Sequence, residues 1–131
     1  MPRKDTKTVE TLQSQSGDAV AVFFPDLSRA QSLTLEAAAN TQFPPTAEGA
    51  TETVGGIWWL SVPAGKSVLM IDTPMSVEEA EDIELVRARA WPITGPIQYP
   101  VGFENSDYCY LVPDGVGFDV SIVPNKLNGG A

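Results

Sequence analysis

Two dense apolar runs, Ile57-Trp58-Trp59-Leu60-Ser61-Val62 and Ser67-Val68-Leu69-Met70-Ile71, flank a Pro63-Ala64-Gly65-Lys66 break near the middle of the chain. Apolar runs of strand length on either side of turn residues predict a β-hairpin. Its first arm, with two tryptophans, would bury the most apolar area per residue and so centre the core. Upstream, Ala19-Val20-Ala21-Val22-Phe23-Phe24 reads as a buried strand stopped by Pro25-Asp26, and Ser32-Leu33-Thr34-Leu35-Glu36 alternates as a half-buried strand does. Ala37-Ala38-Ala39 is too short to nucleate a helix alone, and Asn40 to Thr53, with Pro44-Pro45 and Gly49, reads as a long loop. Gly55-Gly56 opens the central pair of strands, and Asp72-Thr73-Pro74 closes it.

Ser76-Val77-Glu78-Glu79 has the spacing of a capping box and predicts a helix over about 77–86. Its acidic residues fall early and Arg87 and Arg89 late, as the helix dipole favours. The stretch from Ile83 to Trp91 also reads as a strand following one helical turn. Trp91 to Pro100 holds three prolines and a glycine, which confines it to a turn or a sheet edge. The last unit, Tyr108–Val112, Pro113-Asp114-Gly115 and Val116–Val123, predicts a hairpin with one wet face. Val116, Phe118, Val120 and Ile122 share one side of its second arm, and Gly117, Asp119 and Ser121 the other. These elements add up to a mainly β chain: an antiparallel β-sandwich or small barrel with at most one short helix. Residues 1–17 hold only Val9 and Leu12 as aliphatic anchors and are expected to form a flexible N-terminal arm, 18–124 a single domain and 125–131 a flexible tail.

Composition narrows the function classes. A chain of 131 residues with 43% hydrophobic content has the size of one domain with its own core. Eight basic against seventeen acidic residues give a net charge of -9, which argues against binding phosphate backbones, so no nucleic acid partner is expected. Arg3, Lys4 and Lys7 crowd the arm, which leaves a basic segment ahead of an acidic body. One cysteine and no histidine exclude an intrachain disulfide and the usual structural zinc sets. Cys109, between two tyrosines in a strand-like run, reads as a buried packing residue with no imidazole to activate it. No apolar run approaches a membrane span and the polar start lacks a secretory signal, so the expectation is synthesis in the cytoplasm and no membrane partner.

No catalytic residue stands out. Gly65-Lys66-Ser67 resembles the end of a P-loop, yet Leu60 occupies the position where that motif needs its first glycine. Glu78, Glu79, Glu81, Asp82 and Glu84 read as a solvated helix face, and no calcium loop is present, so neither a cofactor nor a metal is expected. The aromatics carry more. Trp58 and Trp59 must point to opposite faces of a strand, and one of them needs cover from a second sheet, a partner or solvent. With Trp91 and Tyr99 they are candidates for a protein interface, or for a sugar-stacking platform.

The polar arm 1–17, the entry Val54-Gly55-Gly56-Ile57-Trp58-Trp59, the strand pair ending at Val123 and the Gly-rich tail together resemble small virion proteins of tailed bacteriophages, of the capsid decoration or cement type. The resemblance implies a non-enzymatic protein, localised to the virion after synthesis in the host cytoplasm. It further implies a homotrimer clamped onto the major capsid protein, with the arm residues Arg3, Lys4 and Lys7 and the exposed aromatics facing the shell. The alternative expectation is a carbohydrate-binding or receptor-binding module using Trp58 or Trp59, Trp91 and Tyr99.

Overall fold

The computed structural model describes residues 24–126, so the arm 1–17, most of the strand expected at 19–24, and tail residues 127–131 lie outside the described residues. Among the described residues there are eight strands: β1 (Gln31–Leu35), β2 (Thr41–Phe43), β3 (Gly56–Val62), β4 (Ser67–Ile71), β5 (Trp91–Thr94), β6 (Ile97–Phe103), β7 (Cys109–Pro113) and β8 (Phe118–Pro124). They form two four-stranded antiparallel sheets, in the orders β1-β8-β3-β6 and β2-β7-β4-β5. The expected β-sandwich is therefore present, open at its edges rather than closed into a barrel.

The two expected hairpins are not. β3 pairs with β6 and β8, whereas β4 pairs with β5 and β7, so the Pro63–Lys66 turn carries the chain from one sheet to the other. β7 and β8 are likewise split between sheets. The turn chemistry is as read: Lys66 N–H donates to the Pro63 carbonyl at 3.3 Å, and Gly65 takes a φ of +77°. Such a turn reverses the chain whether or not its arms hydrogen-bond, and burial decides between the outcomes. Separating the arms lets Leu60 and Val62 of β3 meet Val68 of β4 across the core, with Leu35, Phe43, Ile93, Leu111, Val120 and Ile122 around them. The unbroken apolar run of β4 has a further reason. Val68 faces the inter-sheet core, while Leu69 and Ile71 face the opposite side, where Met75, Ala80, Val86 and Val112 cover them. β8 keeps its wet face, with Val120 and Ile122 buried and Asp119 and Ser121 exposed, but Val116 precedes the strand and is exposed.

The cover on the second sheet comes from two helices where one was expected, α1 (Val77–Glu81) and α2 (Ile83–Arg89). The capping box forms: Glu79 N–H donates to Ser76 Oγ at 3.2 Å and Ser76 N–H to Glu79 Oε1 at 3.0 Å. Asp82 divides the segment. An aspartate competes with the helix by bonding nearby backbone, and here Asp82 is extended and accepts from Leu85 N–H at 3.3 Å, so it caps α2 instead of continuing α1. Asn40 ties this layer down by exchanging both amide hydrogen bonds with the Met75 backbone, at 2.7 and 3.1 Å. The strand that follows begins only at Trp91.

The connections gather at the two ends of the sandwich. At one end Gly95 N–H donates to the Lys66 carbonyl at 2.9 Å, Asp114 N–H to the Ser67 carbonyl at 3.0 Å, and the Lys66 ammonium sits 5.7 Å from the Phe118 ring centre. At the other end the expected long loop is only partly a loop. It contains β2, and its C-terminal part is held by Thr53, whose hydroxyl donates to the Asp107 carbonyl at 2.9 Å and whose carbonyl accepts from Ser106 N–H at 3.0 Å. Phe24–Asp26 lies antiparallel to the end of β8, with a bridge from Pro25 to Asn125 and a bond from Lys126 N–H to the Phe24 carbonyl at 2.7 Å. Backbone pairing thus continues through Lys126, beyond the expected start of the tail.

Two outcomes follow for stability. A Cβ at Gly95 would collide with the carbonyl oxygens of Val62 and Pro63, whereas one at Gly102 meets nothing. Gly95→Ala should cost about 2 kcal/mol or more in urea denaturation and Gly102→Ala less than about 0.5 kcal/mol. The Ser76 amide holds the Glu79 carboxyl below its ordinary value, as the Ser76 hydroxyl and Arg89 also do. The stability from that ionised carboxylate is full above the ordinary carboxylate value of 4.5 and lost as pH falls below it. Glutamine preserves the box but not the charge, so the urea-midpoint advantage of the unsubstituted protein over Glu79→Gln should shrink between pH 6 and about pH 3.

Candidate functional site

Strand geometry sends Trp58 and Trp59 to opposite faces, as expected, and their surroundings separate them. Trp58 points inward with 8% of its surface exposed and packs edge-on to Phe43 at 6.3 Å, which in turn meets Phe103 edge-on at 5.3 Å. Trp58 is therefore a core residue and leaves the set of interface candidates. Phe43, fully buried between these rings, was not legible in the sequence, because its strand is three residues long and runs into Pro44-Pro45. Trp59 stands on the outer face of the first sheet, in register with Pro100 and Val123, and is half-buried. Tyr99 is in register with Leu60 on the inner face, half-buried on the edge strand β6. Arg3, Lys4 and Lys7 lie outside the described residues.

Trp91 is the candidate that the fold leaves open. It starts β5, with 63% of its surface exposed. β5 is the edge of the second sheet and β6 the edge of the first, and the short Gly95-Pro96 connection puts both edges on one flank of the sandwich. The edge position expected for 91–100 is thus observed. Pro92 and Pro100 sit within these strands, where a residue lacking an N–H interrupts the row of donors a further strand would need. Ile97 is exposed on the same flank and borders an open groove lined by Ser61, Val62, Pro63, Pro96 and Gln98. Trp91 directly follows α2, whose Leu85 is exposed, as is Val77 of α1. The flank can take up an apolar partner by side-chain contact, not by added backbone pairing.

The charge around it is largely engaged in pairs. Arg87 bonds Asp114 at 2.9 Å and Glu84 at 3.2 Å, and the Asp114 carboxylate raises its already high pKa. Arg89 reaches Glu79 at 3.5 Å and the Met75 sulfur at 3.3 Å. Glu78 and Glu81 remain exposed, so the helical layer presents negative charge beside Leu85 and Val77. Cys109 lies in the core with Leu111 and Phe43, and burial, with Asp107 and Asp72 adding to it, pushes its thiol up to about 12. Among the described residues no three of His, Cys, Asp and Glu group as a metal site, and no helix is long and apolar enough to cross a membrane.

Eight antiparallel strands wound in the orders β1-β8-β3-β6 and β2-β7-β4-β5 make this sandwich a jelly roll. No protein family, curated protein or solved structure matches the chain.

The burial of Cys109 sets a direct check on the core. Ellman's reagent at pH 8 should leave the native thiol unlabelled over an hour and label it within minutes in 8 M urea, since only the exposed thiolate attacks.

Proposed function

We propose that this protein is a non-enzymatic structural component of a bacteriophage virion, which associates with copies of itself and docks on the major capsid protein to stabilise the shell. The observation that supports this reading best is the exposed Trp91 on a proline-bearing flank. A large aromatic ring kept in water at a sheet edge gains burial only on association, and rings of this kind anchor protein interfaces. The jelly roll serves both viral capsid proteins and lectins, so it is compatible with the reading without selecting it. The homotrimer expected from the resemblance remains part of the proposal as one stoichiometry of self-association.

Carbohydrate stacking is the less favoured reading. Trp58 is in the core, Trp59 stands on the outer face of the first sheet and Trp91 on the edge of the second, so the three tryptophans do not share a platform. A glycan array probed with the protein should be silent.

Trp91→Ser provides the decisive variant, because the side chain is too exposed to hold the fold. In co-sedimentation with capsid shells it should bind about tenfold more weakly or worse, with an unchanged urea midpoint. Undiminished shell binding by this variant would remove the proposed docking flank.

A further inference from the structure

Self-association, taken from the reading above, needs a surface, and the four sheet edges differ in their fitness for it. β5 and β6 carry Pro92 and Pro100. β2 is three residues long, ends at Pro44, and has its Gln42 amide turned back onto the Pro44 carbonyl and the Thr46 hydroxyl, both at 3.1 Å. β1, Gln31-Ser32-Leu33-Thr34-Leu35, pairs among the described residues with β8 on one side only, and contains neither a proline nor a charge. Natural edge strands are commonly blunted by proline or charge. Among the described edges β1 is the long one with no such device.

We infer that β1 pairs antiparallel with β1 of a second copy across a two-fold axis at Leu33, joining the two first sheets into one of eight strands. The sequence of the strand is self-complementary in that register. Leu33, half-buried on the core side, meets its own copy, and the exposed Ser32 and Thr34 lie opposite each other's equivalents as hydroxyl pairs. Glu36, just past the strand, comes opposite Ala30 of the other copy and next to its Arg29. Two copies that each carry a net charge of -9 repel, so an uncharged strand, with the paired Arg29 and Asp26 before it and Glu36 alone just after it, is where they can approach with the least like charge facing. The association is isologous, and it closes at two copies through this edge.

The register makes the test specific. The unsubstituted full chain should pass from monomer to dimer mass in multi-angle light scattering as its concentration is raised. Ser32→Lys with Thr34→Lys sets four ammonium groups across the axis, and Ser32→Glu with Thr34→Glu sets four carboxylates. Each double variant should stay monomeric over the same range with a far-UV spectrum and urea midpoint like the parent, since both positions are exposed. An equimolar mixture of the two should recover dimer mass. A parent that is monomeric throughout overturns the inference. So does a parent dimer or trimer whose mass both variants retain, which would leave self-association standing but through another surface. Trp91→Ser should not affect the dimer, so failure here and failure of shell docking are told apart.

Discussion

The governing constraint is that the chain changes sheet at every connection except the helical one between β4 and β5. No two consecutive strands joined by a short turn hydrogen-bond to each other, and each sheet is assembled from strands distant in the chain. The cohesion of the sandwich therefore rests on the inter-sheet core and on the places where the crossing turns touch. The approach of Gly95 to Val62 and Pro63 is the tightest of these, backbone against backbone with no room for a methyl group. Pairing of this kind is non-local, and it forms late and slowly compared with hairpins and helices.

The two sheets then solve different problems. The second buries both faces, one against the first sheet and one beneath α1 and α2, which are fixed by two side-chain caps and by the peptide-like grip of Asn40 on Met75. The first buries its inner face against the second sheet and carries Ser32, Thr34, Asp119 and Ser121 on its exposed outer side. Among the described residues its two edges are unlike: β6 carries a proline, and β1 carries neither proline nor charge. A molecule built this way has one flank suited to side-chain docking and one suited to backbone pairing.

Much of this was legible in the sequence. The alternation in Ser32–Leu35 and Phe118–Ile122 gave the faces of β1 and β8, the prolines of 91–100 gave the edges, and Ser76 with Glu79 gave a helix start. What the pattern could not give was the partner of each strand, because Pro63–Lys66 and Pro113–Gly115 reverse the chain equally well in a hairpin and between sheets. β2 is not legible in the pattern because its strand is three residues long. Nor is the role of each tryptophan legible there. Trp58 and Trp91 are chemically the same residue, and only knowledge of which strand is central and which is an edge separates a core ring from a docking ring. In the sequence Asp82 reads as one more carboxylate of an acidic helix face, though it ends one helix and begins the next.

The bridge between Pro25 and Asn125 sets the first and last described residues side by side at the end of β8. Whatever extends from either end leaves from the same point on the molecule. A short linker from Lys126 to Phe24 would close the described residues into a ring, and opening that ring at a surface turn would give a permuted order of the same strands. Cargo attached at Phe24 and Lys126 would be carried as a pair from a single point rather than from opposite poles.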